Sequence, residues 1–167
     1  IMKKLLITMM ALMLMVGISA SADAATPTDT INVTVTITAS GVSVVVTPDA
    51  WAISDIDASD SPTTVGIGPD FFTALNDSNA SEDLTLSSAS SDDWTFANTP
   101  GADQFGMNFS TGGALPVWNT IDSSTGGELA TGLGAGAVRT FDLQLEAPTS
   151  TTVGGTQQTI VVTVTAS

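Results

Sequence analysis

Two segments near the end of the chain constrain its fold most: Val138-Arg139-Thr140-Phe141-Asp142-Leu143-Gln144-Leu145-Glu146 and Gln157-Gln158-Thr159-Ile160-Val161-Val162-Thr163-Val164-Thr165. In the first, Phe141, Leu143 and Leu145 alternate with Thr140, Asp142, Gln144 and Glu146. That period of two puts the apolar side chains on one face of a strand and leaves the other face wet. The second repeats the pattern with β-branched residues, which fit a pleated, half-buried surface. Ala147-Pro148 and a Thr/Ser/Gly connection ending at Gly154-Gly155 join the two as if in a hairpin. Two such strands need a partner sheet, which the preceding residues must supply.

The beginning of the chain reads differently. Lys3-Lys4, an apolar stretch of 14 residues from Leu5 to Ile18, and the small residues Ser19 to Ala25 have the three regions of a secretory signal peptide. The apolar stretch is short against the roughly 20 residues that cross a bilayer, so a cleaved leader over 1–24 is expected rather than an anchor. A cut after Ala22 or Ala24 satisfies the small-x-small rule. With no cysteine there is no lipid attachment of the lipoprotein kind. The expected product is an exported chain of about 143 residues, enough for one domain with a real core.

Both lysines fall in the leader, so Arg139 is the only fixed cation after it, against about 16 carboxylates. Such a surface repels nucleic acid and anionic membranes, because phosphate recognition rests on Lys and Arg. No nucleic-acid partner is expected, and no membrane partner once the leader is gone. With no histidine and no cysteine, the usual general base, the thiol nucleophile and soft metal sites are missing, and no disulfide supports the domain.

Along the chain, Thr30 to Thr38 alternates with Ile31, Val33, Val35 and Ile37 on one face and carries no charge. Residues 25–40 are therefore taken as an N-terminal strand and 41–167 as the sandwich domain. Val42 to Thr47 follows, its Val44-Val45-Val46 run suggesting burial on both faces. Pro48 stops that ladder, and Trp51 with Ile53 reads as a short strand. Asp55, Asp57, Ser59 and Asp60 lie in an acidic loop that alternates somewhat like calcium ligands. The loop lacks the sixth-position glycine and distal glutamate of an EF-hand, so a solvated loop is favoured over a Ca²⁺ site. Further short strands are expected at Thr63 to Ile67, Asp70 to Asn76, Asp83 to Ser88, Trp94 to Phe96, Gln104 to Phe109, Leu115 to Ile121 and Glu128 to Ala130, separated by Asn/Asp/Ser/Gly/Pro turns. Nine to eleven such strands and no helical period after the leader give an all-β, antiparallel sandwich. Trp51, Trp94, Trp118 and Phe141 are taken as core or edge-sealing aromatics. Asn32, Asn76, Asn79 and Asn108 begin N-x-S/T triplets of the kind that arise by chance in so Thr/Ser-rich a chain.

The order of features resembles the immunoglobulin-like modules repeated in bacterial and archaeal surface and secreted proteins. The resemblance rests on Thr47-Pro48-Asp49-Ala50-Trp51, on the Asn-turn hairpin Leu75-Asn76-Asp77-Ser78-Asn79 with Asp83-Leu84-Thr85-Leu86, and on the closing segments Phe141 to Pro148 and Gly154 to Ala166. It implies an immunoglobulin-like or jelly-roll type of sandwich. The Asp55 to Asp60 loop stands where those modules carry a Gly-containing strand. More loosely, a leader cut close to a self-complementary strand and a cysteine-free sandwich is similar to the organisation of TasA-like and camelysin fibre subunits, which implies assembly.

The function expected is a non-enzymatic structural subunit of an extracellular filament or surface layer, with the chain as its own partner. The strand carrying Ile31, Val33, Val35 and Ile37 would be given to a neighbour by β-augmentation, since an uncharged free strand is otherwise an aggregation hazard. Head-to-tail donation need not close, hence a fibre. Pairing of that strand within its own subunit, with Gln157 to Thr165, stands equal to donation. The alternative function is a secreted adhesin or carbohydrate-binding module using Trp94, Trp118 and the acidic loop with Ca²⁺, toward a glycan or cell-surface partner. Catalysis by Asp92-Asp93 after the manner of glycosidases is disfavoured, because adjacent strand residues point to opposite faces.

Overall fold

The computed structural model describes residues 31–41, 44–67, 71–112, 115–153 and 156–167. The expected signal peptide over 1–24, and residues 25–30, lie outside them. The described chain is built of eleven strands: β1 Ile31–Gly41, β2 Val44–Thr47, β3 Ala50–Ile56, β4 Phe72–Asn76, β5 Glu82–Ala89, β6 Thr95–Phe96, β7 Gln104–Ser110, β8 Asn119–Thr120, β9 Gly127–Leu133, β10 Val138–Glu146 and β11 Gln158–Ala166. One sheet runs β3-β1-β11-β5-β9. The other runs β2-β4-β10-β7-β6, with β8 added to β7. The two pack as an all-β sandwich, as the alternation predicts.

Their inner faces are the periodic apolar residues. Val33, Val35 and Ile37 of β1, Leu84 and Leu86 of β5, and Ile160, Val162 and Val164 of β11 face Phe72 and Ala74 of β4, Phe105, Met107 and Phe109 of β7, and Phe141, Leu143 and Leu145 of β10. All are buried. Phe72 stacks on Phe141 with ring centroids 5.2 Å apart. Each such side chain contributes about 1.5–3 kcal/mol on leaving water.

Several sequence expectations give way. β10 and β11 do not form a hairpin: they lie in different sheets, and the link between them crosses the sandwich. A period of two identifies the buried face of a strand but not the strand beside it. The sheets are not wholly antiparallel, for β11 pairs parallel with β1, from Val33 opposite Gln158 to Gly41 opposite Ala166, and β6 pairs parallel with β7. β2 is an edge strand whose Val45 is 46% exposed, so the valine run is not buried on both faces. Thr63 to Ile67 is no strand. Thr63 makes a single bridge to Gln144, and Thr64–Gly66 is a 3-10 turn.

That turn explains a further departure. Asp142, on the nominally wet face of β10, is buried because the segment after β3 lies over it. The Thr64 hydroxyl donates to Asp142 Oδ1 at 2.7 Å, the Phe71 amide donates to the same oxygen at 3.3 Å, and Thr64 Oγ1 accepts the Leu143 amide at 3.0 Å. Among the described residues no buried side-chain polar atom lacks a partner. This is the condition under which burying such groups is tolerable.

Candidate functional site

The register gives the sandwich two distinct ends. Val138 opposite Leu75, Val44 opposite Asn76, Gly41 opposite Ala166 and Leu84 opposite Ala130 gather at one pole. Residues 59–63 run back along the far end of β10, with Ala147 donating to Asp60 O at 2.8 Å and Ser59 to Pro148 O at 2.9 Å. The acidic loop therefore lies at the opposite pole, roughly 26 Å away along the nine residues of β10.

In that loop the Asp60 carboxylate accepts the Asp57 amide at 2.9 Å, which caps the turn, and both residues are exposed. The side chain of Asp55 lies outside the described set. Among the described residues no three acidic side chains converge as a cation cage.

The aromatics divide. Trp51, Trp94 and Phe141 are buried in the core, Trp94 against Phe105 and with its indole N–H donating to Thr151 Oγ1. Trp94, at 1% exposure, has no open face for a sugar. Trp118 corrects the expectation of a core role: it is half-buried in the irregular segment before β8, outside the core cluster, between exposed Val117 and Asn119. The stretch Leu115 to Ile121 forms only the two-residue β8, and Leu115 is 88% exposed.

Of the adjacent carboxylates, Asp93 accepts from Gln158 Nε2 at 2.8 Å. Gln158 Oε1 in turn accepts the Ser91 hydroxyl and the Asp93 amide, so this aspartate holds the start of β11 in place. Asn76 and Asn108 of the N-x-S/T triplets are buried. Asn76 is a junction: its Nδ2 donates to the carbonyls of Leu133, Ala80 and Gly134 at 2.7, 2.8 and 3.2 Å, and its Oδ1 accepts the Ser78 amide at 3.0 Å. It ties the turn before β5 to the turn that feeds β10.

Ile31, Val33, Val35 and Ile37 lie on β1, an interior strand flanked by β3 and β11. Val33, Val35 and Ile37 are buried toward the opposite sheet, with half-buried Thr34 and Thr36 on the outer side. The side chain of Ile31 is outside the described set. Within one chain the first strand thus pairs internally, with Gln158 to Ala166, and β3 has β1 as its neighbour.

Sequence reading singled out Arg139 only as a charge, whereas the structure places it in a groove. β7 runs out at Ser110, opposite Asp142, so the first half of β10 has β4 on one side and no strand on the other among the described residues. Into this gap opens a groove of about 450 Å³ bordered by β9, the end of β7 and β8. The Arg139 Nε donates to Leu129 O at 3.2 Å across the two sheets. Its other guanidinium N–H groups have no acceptor among the described residues. Glu128, also in the lining, accepts the Thr131 hydroxyl at 2.7 Å through Oε1. Phe109 closes the floor, its ring lying where a Cβ on Gly127 would sit. Asn119, Glu128 and Arg139 lie within about 20 residues of one another on the consecutive strands β8, β9 and β10, but β9 belongs to the other sheet from β8 and β10, so their spacing alone does not announce the groove.

Two half-buried aspartates, Asp103 and Asp122, are held below the ordinary carboxylate range, Asp122 well below it. For Asp122 the causes are hydrogen bonds from the Ser124 hydroxyl and from the amides of Ser124 and Thr125. For Asp103 they are bonds from the amide and hydroxyl of Thr152. Both close turns.

In class, then, this is an all-β sandwich with a polar groove at one pole. No protein-family model matches the chain, and no curated protein matches it.

Proposed function

We propose that the chain is a non-enzymatic structural subunit of an extracellular filament or surface layer, built by exchange of β1 between neighbouring copies. The observation that carries this reading is the position of β1. It is uncharged, comes first in the described chain, sits as the seam of its sheet, and is separated from β2 in the opposite sheet by only Val42 and Ser43. A neighbour's β1 placed between β3 and β11 would make the same ladder and bury the same Val33, Val35 and Ile37, so exchange costs little beyond opening the link. Because each copy gives a strand at one place and receives at another, the contact is heterologous and propagates.

The absence of cysteine from the chain makes this directly testable. Thr34 and Thr159 are register partners on the outer face of β1 and β11. A Thr34→Cys, Thr159→Cys double variant, oxidised after assembly, is expected to give a covalent ladder on a non-reducing gel. Filaments in which every disulfide closes within one chain would end the exchange reading. Failure to see any polymer by negative-stain microscopy of concentrated secreted material would end the assembly reading as a whole.

A further inference from the structure

We infer that the Arg139 groove is a binding site for a neutral saccharide. Its balance of donors and acceptors selects the ligand class. In the lining, the guanidinium of Arg139 presents N–H groups that no described residue accepts. Glu128, also in the lining and exposed, has an oxygen beyond the one that accepts from Thr131. Asn119 and Thr120, both exposed, add an amide and a hydroxyl, and the edge of Phe109 supplies an apolar floor. A ligand rich in hydroxyls uses both kinds of partner at once, because each hydroxyl donates once and accepts as well.

An anion would use only the donors and would meet Glu128. It would also have to approach a chain whose formal net charge is −14. Wholly apolar ligands would strand the guanidinium and the carboxylate without partners. The groove volume falls in the ordinary range for small-ligand sites. Half-buried Trp118, directly before Asn119, is the one tryptophan outside the buried core. The site lies at the pole away from the acidic loop and shares no residue with β1, so this inference does not depend on strand exchange.

The test is titration of the secreted chain with a panel of neutral oligosaccharides (glucan, mannan, xylan and galactan fragments) and of acidic ones such as polygalacturonate fragments, read by calorimetry and by tryptophan fluorescence. Saturable binding of at least one neutral class is expected. Glu128→Ala and Asn119→Ala should each weaken it about tenfold, the size of a lost hydrogen bond to a charged or well-placed polar group. Glu128→Gln should fall between. Asp57→Asn at the far pole should leave affinity unchanged. All three positions are exposed, so circular dichroism should find each of the four variants folded. No saturable binding across the neutral panel, a preference for the acidic sugars, or binding indifferent to the groove variants would each overturn the inference.

Discussion

Replacing Asn76 tests how much of this sandwich hangs on a single buried amide. The side chain is fully buried and serves four backbone groups: the carbonyls of Ala80, Leu133 and Gly134 and the amide of Ser78. Asn76→Ala removes all four partners at once. A lost intramolecular hydrogen bond costs about 1 kcal/mol net, and more where the abandoned group stays buried. Some of these groups belong to turns and can recover water, so a loss of about 3 kcal/mol is expected, a large share of the 5–15 kcal/mol of a typical domain. With a urea slope of about 2 kcal/mol/M the midpoint should fall by about 1.5 M, followed by tryptophan fluorescence.

Asn76→Asp sharpens the test. It keeps the shape but aims a carboxylate at three carbonyl oxygens in a buried place, which favours the protonated form and raises the folded-state pKa above the unfolded value near 3.9. A group raised in the folded state is at its least harmful below the unfolded value and becomes more harmful as pH rises through the folded one. The deficit of Asn76→Asp relative to the parent should therefore exceed that of Asn76→Ala at pH 7 and shrink toward pH 4. If Asn76→Ala lies within about 1 kcal/mol of the parent, or if the aspartate deficit does not depend on pH, the junction does not do what its geometry implies.

Phe141→Ala opens a cavity beside Phe72 and should cost about 3–5 kcal/mol, whereas Trp118→Ala, outside the core, should change stability by about 0.5 kcal/mol or less. Matched thermal melts of the two variants would show the contrast. Hydrogen bonds hold the folded-state pKa values of Asp103 and Asp122 below the ordinary aspartate value, so their contribution is present above that value and lost as pH falls through the folded-state one. Acid titration of stability should show a decline below about pH 4 that flattens in an Asp122→Asn variant.

Much of this architecture is legible in the alternation itself. Phe141, Leu143 and Leu145, Ile160, Val162 and Val164, and Val33, Val35 and Ile37 share faces because side chains alternate on any extended chain, and burying those faces calls for two sheets. The signal was local, and local readings go wrong where a distant segment intervenes. Asp142 looked wet until Thr64 and Phe71 covered it, Val45 looked buried until β2 became an edge, and Trp118 looked like core although its segment barely pairs.

Side-chain rhythm thus determined, from the sequence alone, that the chain is all β and which residues of most strands turn inward. Only the tertiary structure decided which sheet each strand joins, that β1 lies parallel to β11, that Asn76 and Gln158 are polar junctions, and that Arg139 meets Glu128 and Asn119 around one groove. The reason is physical. The period of a strand is set by its own backbone, but its neighbours are chosen by hydrogen bonds and packing between residues far apart in sequence, and no local pattern encodes that choice.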